Sequence, residues 1–196
     1  MKTYKEHYKE NKEIIKDKLK EFSKNKDYFY ELCFCLLTPQ SNAKKCYEAI
    51  QILKQKDFLN NNFNIKPILK TRTRFYNNKS RYLVELKNKF NFIKQNLKNN
   101  PETTREFLVK EVKGVGYKES SHYLRNIGYR NLAILDRHIL NNLKNLKVIK
   151  EIPKPITKAK YFEIESKFKE FSKKANIPMD ELDLLFWSMQ TGEVFR

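Results

Sequence analysis

VKGVGYKESSHYLRNIGYRNLAILDRHIL, residues 112–140, holds three of the four glycines in the chain. Gly114 and Gly116 flank Val115, a spacing that predicts a tight hairpin opening a helix at about Tyr117. Backbone N–H groups at such a helix start can approach and cradle an anion. Lys118 follows at once. Further on, Asp136 comes after the apolar run Ala133-Ile134-Leu135 and before Arg137 and His138. On the predicted helix, Tyr117, Ser120, Ser121, Leu124 and Ile127 share one face that packs, while Lys118, His122 and Arg125 share another that can meet a ligand. Gly128 is the expected C-cap of that helix, and Asp136 begins the next helical pattern, Ile139 to Leu146.

Outward from this stretch, helical periodicity recurs almost everywhere. Tyr4, Tyr8, Ile14, Ile15 and Leu19 form one set, then come the aromatic-rich Tyr28 to Leu37 and the segment Ala43 to Leu53. Strand alternation is hard to find. Pro39, Pro67, Pro101, Pro153, Pro155 and Pro178 punctuate the patterns, with Pro101 suited to the first turn of a helix running towards Val109. The asparagine-rich segments 60–64 and 96–100 read as short connectors, not domain linkers. The expectation is an all-α fold, one compact unit over residues 1–196, with the hairpin motif at about 106–128.

The chain has 196 residues, with 41 Lys and Arg against 23 Asp and Glu, a formal charge of +18. A chain of this length buries roughly 70% of its unfolded surface without staples. A field of that sign attracts polyanions, and nucleic acid is the natural partner, so the anion at the hairpin is expected to be a DNA phosphate. The competing explanation is an AT-rich genome that inflates Lys, Asn and Ile. Cys33, Cys35 and Cys46 lie close together without a fourth cysteine, which excludes a multi-disulfide framework and a four-cysteine zinc or iron–sulfur site. They read as buried small hydrophobes in a reducing compartment. The charged N-terminal stretch has no signal-peptide core, and no segment approaches the ~20 apolar residues of a membrane span. A soluble cytoplasmic protein, without membrane association, is expected.

Two residues offer chemistry. The Lys118 amine can attack an electrophilic sugar carbon, displace a base and leave a Schiff base, provided it attacks unprotonated. The plain alternative is an exposed lysine. Asp136 can stabilise positive charge developing on the sugar and help deprotonate or orient the lysine; equally, it suits the N-cap of the helix that follows, and one side chain can do both. The histidines His7, His122 and His138 lack metal-ligand companions at useful spacing, which argues against a zinc hydrolase.

The combination GVGYK, SSHYLRNIG and AILDRH resembles the helix-hairpin-helix DNA glycosylase superfamily, in which a hairpin is followed by a catalytic lysine and a downstream aspartate. The short chain and the ending DLLFWSMQTGEVFR resemble its archaeal-type 8-oxoguanine DNA glycosylase/AP lyase branch. That resemblance implies a two-lobed helical fold. It makes Lys118 the nucleophile and Schiff-base residue, Asp136 its acidic partner, and Gly114, Val115 and Gly116 the phosphate anchor. The damaged nucleotide would be flipped out of the duplex into a pocket. Trp187, the only tryptophan, is then a stacking surface for the extruded purine, where by itself it would read as core. Phe75, an aromatic before a helical segment, is a second stacking candidate. Arg196 is expected to reach back to the base where the family commonly has lysine, and Gln40 to probe the lesion strand or fill the gap left by the flipped base. Asp183, on the helix leading to Trp187, either contacts the base or balances local charge.

The implied substrates are double-stranded DNA containing 8-oxoguanine and AP-site DNA, handled by a monomer associated with the nucleoid when bound. No cofactor is required, although a structural monovalent cation at the hairpin carbonyls fits the superfamily. Iron–sulfur relatives are disfavoured because no cysteine lies beyond Cys46. The alternatives are a non-catalytic helix-hairpin-helix module that holds DNA through phosphates, a glycosylase for another lesion and, more distantly, an RNA-binding protein.

Overall fold

The computed structural model describes residues 2–195. Its secondary structure consists of ten α-helices among the described residues: α1 (Tyr4–Lys24), α2 (Tyr28–Leu37), α3 (Ala43–Gln55), α4 (Lys66–Lys70), α5 (Tyr76–Gln95), α6 (Pro101–Glu111), α7 (Tyr117–Asn126), α8 (Arg137–Asn145), α9 (Lys158–Ala175) and α10 (Met179–Thr191). The described residues contain no strand, so the all-α expectation holds. No described helix is long and apolar enough to cross a membrane. Two compact units account for the contacts, one of residues 26–123 and one of residues 1–25 with 124–196.

In the 26–123 unit, α2 is the central element. Its sequence YFYELCFCLL is apolar nearly all round, and every residue from Phe29 to Leu37 is buried, as expected for a helix enclosed by its neighbours. It packs on α3 and α5. Phe29 anchors an aromatic cluster, with ring centroids 5.0 Å from Phe90 and 6.1 Å from Phe58. The three cysteines are buried and form no disulfide, and burial pushes the Cys33 and Cys46 thiols upward, so these two stay protonated. α6 starts as its sequence predicts: Asn100 caps it through the Thr103 N–H, and Pro101 fills the first turn.

The other unit is organised around α10, which is buried from Met179 to Phe186 and packs against α1 and α8. α1 opens with a capping box between Thr3 and Glu6 and turns Ile15, Leu19 and Phe22 inward. Ile14, grouped with that stripe by periodicity, is 56% exposed. Phe168 stacks on Phe186 with centroids 6.1 Å apart. Gly128 ends α7 with φ +101°, and the bonds Gly128 N–H to Arg125 C=O and Tyr129 N–H to Leu124 C=O form a Schellman closure. A Cβ at Gly128 would lie 3.0 Å from the Ser23 Cα, so glycine is required here by both conformation and space.

Candidate active site

In the 26–123 unit, the hairpin between α6 and α7 is closed by the Val115 N–H donating to the Val112 carbonyl at 3.2 Å. Val115 is buried as a plug, while Gly114 is exposed in the left-handed region at φ +84°. Tyr82 backs the turn: a Cβ on Gly114 would sit 2.4 Å from its ring. The Gly114→Ala variant is therefore expected to lose about 1–3 kcal/mol of stability from strain and overpacking. It should also bind undamaged duplex more weakly, with both effects measured by thermal unfolding and salt-dependent binding.

Gly116 caps α7, its carbonyl taking the Ser120 N–H at 2.9 Å. Its own N–H donates to the Glu119 carboxylate at 3.2 Å, half of a capping box. The helix start keeps its first-turn amides and the positive end of its dipole for an anion, but the Gly116 N–H is already engaged in the free protein. Behind this turn, the Tyr117 hydroxyl donates to the Glu106 carboxylate, and the buried Arg105 guanidinium lies 5.8 Å from the Tyr117 ring and donates to Ser121.

Lys118 is the second residue of α7 and is partly shielded, with 24% of its side chain exposed and its amine 3.4 Å from Glu119 Oε1. One carboxylate thus touches both the hairpin and the candidate nucleophile. The sequence reading overlooked Glu119, although an acidic residue three positions after a helix N-cap was a readable signal.

The remainder of the proposed reading face is not a surface. His122 is 7% exposed and edges onto Phe34 at 5.8 Å. Arg125, 2% exposed, pairs with Asp183 at 2.8 Å and lies 4.9 Å from the Phe22 ring. The expectation that Lys118, His122 and Arg125 jointly meet a ligand is therefore corrected, because packing buries the last two. Asp183 is committed to a buried ion pair, which favours its charge-balancing role over base contact.

Gln40 and Phe75 lie in the same unit as Lys118. Both are exposed and both adopt left-handed backbone, at φ 54° and 56°. Phe75 is the N-cap residue of α5, 54% exposed as a residue, with the Arg74 guanidinium 5.4 Å from its ring centroid.

In the other unit, the extended run before Asp136 is pinned by α9: the Ala133 N–H donates to the Glu165 carboxylate at 2.8 Å, and the Tyr161 hydroxyl donates to the Ala133 carbonyl. Asp136 then caps α8, its Oδ1 accepting the Ile139 N–H at 2.8 Å. The capping role is realised through Oδ1 of this half-buried carboxylate. At the second position of α8, the His138 ring lies edge-on to Trp187, with centroids 6.5 Å apart. Trp187 is half-buried, and its ring lies 6.0 Å from Phe195 with planes inclined 28°. Arg196 lies outside the described residues. Among the described residues, no group of three His, Cys, Asp or Glu could hold a metal ion.

Paired helices joined by a glycine hairpin, with a lysine on the second helix, define a helix-hairpin-helix protein. The family model for 8-oxoguanine DNA glycosylase, Ogg-HhH, matches residues 9–177. An 8-oxoguanine DNA glycosylase/AP lyase of Fusobacterium nucleatum is 45% identical, over 96% of this chain and 94% of the relative. Its counterpart in Methanocaldococcus jannaschii is 38% identical over 95% and 94%. The fold matches the crystal structure of the Methanocaldococcus jannaschii 8-oxoguanine glycosylase/lyase in complex with 15mer DNA containing 8-oxoguanine, with a TM-score of 0.86 and 36% identity over 97% of this chain and 98% of that one. It also matches the 8-oxoguanine DNA glycosylase of Thermotoga maritima, with a TM-score of 0.89 and 30% identity over 98% and 96%. The chain belongs to the 8-oxoguanine DNA glycosylase family.

Proposed function

We propose that this chain removes 8-oxoguanine from duplex DNA and then cleaves the strand at the resulting AP site, with Lys118 as the nucleophile of both steps. The unprotonated amine attacks C1′ of the flipped nucleotide; the C1′–N9 bond breaks, and the base leaves with a proton. Opening of the sugar ring gives a Schiff base between Lys118 and C1′. Loss of a C2′ proton and of the 3′ phosphate by β-elimination cuts the strand, and hydrolysis of the imine returns the lysine. Asp136 stabilises charge on the sugar as the base departs. Trp187 stacks on the extruded base, Arg196 binds it, and Gly114, Val115 and Gly116 anchor a backbone phosphate. No redox cofactor enters this scheme; a monovalent cation on the hairpin carbonyls would reinforce the phosphate anchor. The protein acts as a cytoplasmic monomer at the nucleoid.

The observation that carries this reading is the placement of Lys118. It is a partly shielded amine at the start of the helix that leaves the hairpin, within reach of a single carboxylate. Borohydride trapping on a duplex containing one 8-oxoguanine is the test, because reduction fixes only an imine. A covalent adduct is expected on the lesion duplex and on an AP-site duplex, and none on undamaged DNA. Lesion binding without adduct or strand cleavage would overturn the lyase mechanism.

A further inference from the structure

Two exposed residues of the 26–123 unit, Gln40 and Phe75, are held in left-handed backbone without being glycine. Such conformations persist only where the surroundings over-determine them. Phe75 also leaves 54% of an aromatic residue in solvent with a guanidinium over its ring, a suitable platform for nucleic-acid bases.

One buried ammonium reaches both turns. Lys79, 5% exposed, donates from Nζ to the Leu37 carbonyl at 2.7 Å, the Pro39 carbonyl at 2.8 Å, Ser41 Oγ at 3.1 Å and Thr73 Oγ1 at 2.8 Å. Pro39 and Ser41 bracket Gln40, and Thr73 lies just ahead of Phe75. The two turns are also stitched directly: the Ser41 and Thr73 hydroxyls are 3.0 Å apart, and the Arg74 N–H donates to Ser41 Oγ at 2.9 Å. We propose that Lys79 is a positioning residue for base recognition, its ammonium locking the Gln40 loop to the Phe75 turn so that both side chains meet DNA in one register. This proposal rests on the glycosylase reading given above.

A stabilising role alone is a poor explanation for this residue. Its four hydrogen-bond partners are neutral oxygens, and a buried charge without a counter-ion is costly where an apolar side chain would pack freely. Burial pulls the Lys79 ammonium down to about 8; Lys118 and Arg74 push the same way, while Glu119 opposes them. Only the protonated form supplies three donors to this ring of acceptors.

Lys79→Met keeps the stem and removes the donors; Lys79→Arg keeps the charge. Base excision from an 8-oxoguanine duplex is compared with borohydride trapping on a preformed AP site, where there is no base to recognise. For Lys79→Met, excision should fall roughly 100-fold, the preference for 8-oxoguanine over guanine should narrow, and AP-site trapping should fall only a few-fold. Lys79→Arg should recover part of the loss. In the wild type, the excision-to-trapping ratio should decline from pH 7 to pH 9 as Lys79 deprotonates. Equal losses on both substrates, or no loss on either, would overturn the proposal. Wild-type protein inactive on both substrates would instead overturn the glycosylase reading. Should Lys79→Met not fold, Ser41→Ala combined with Thr73→Val removes two arms of the same clamp, and an unchanged ratio in that variant also counts against it.

Discussion

Lys118→Gln should form no borohydride adduct on either lesion or AP-site DNA, and excision should fall to background, a loss of at least roughly 10⁴-fold. Glutamine preserves the polarity of the stem, but an amide nitrogen cannot form an imine. Binding to lesion duplex should survive, weakened in a salt-dependent way by the loss of one cation among 41. Single-turnover excision and titration at two salt concentrations measure both halves of this expectation. A trapped adduct in Lys118→Gln would move the nucleophile elsewhere, and loss of all binding would make Lys118 a phosphate contact.

Asp136→Asn separates two functions that share one side chain. Asparagine caps a helix about as well as aspartate, so the bond to the Ile139 N–H and the stability of α8 should be retained. The charge is lost, however, and base excision should fall roughly 10²–10⁴-fold. Asp136→Ala should show the same catalytic loss and in addition lose about 1 kcal/mol of stability with the cap. Thermal unfolding beside single-turnover excision resolves the two contributions. Wild-type turnover in Asp136→Asn would reduce this residue to a cap.

Features fixed by local chemistry were legible in the chain. The left-handed Gly114, the Schellman closure at Gly128, Pro101 in the first turn of α6 and the Asp136 cap each depend on a few adjacent residues and their backbone preferences. Helical periodicity likewise marks α2 and most of α3, read as Ala43 to Leu53 and observed as Ala43–Gln55. Features fixed by distant neighbours were not legible. A helical wheel groups Arg125 with Lys118, yet the partner that buries Arg125 is Asp183, 58 positions away. Asp183 was noticed, but nothing in the sequence indicates that its partner is an arginine of α7. Lys79 has no local signature in a chain this rich in lysine; the oxygens around it come from two separate segments, residues 37–41 and Thr73. Phe75 was legible as an aromatic ahead of a helix, whereas its left-handed backbone and its exposure had no local signal.

Past Gly192, which adopts φ +81° at the end of α10, the chain folds back to lay Phe195 beside Trp187. Trp187 is the sole indole in the protein, so all of its tryptophan fluorescence originates at this one ring, beside His138 and Phe195. Separation of Phe195 from the indole changes the polarity around the ring and shifts its emission maximum. The protein thus carries its own optical reporter, unlabelled and without background from other tryptophans, for whether its C-terminal segment is packed or released.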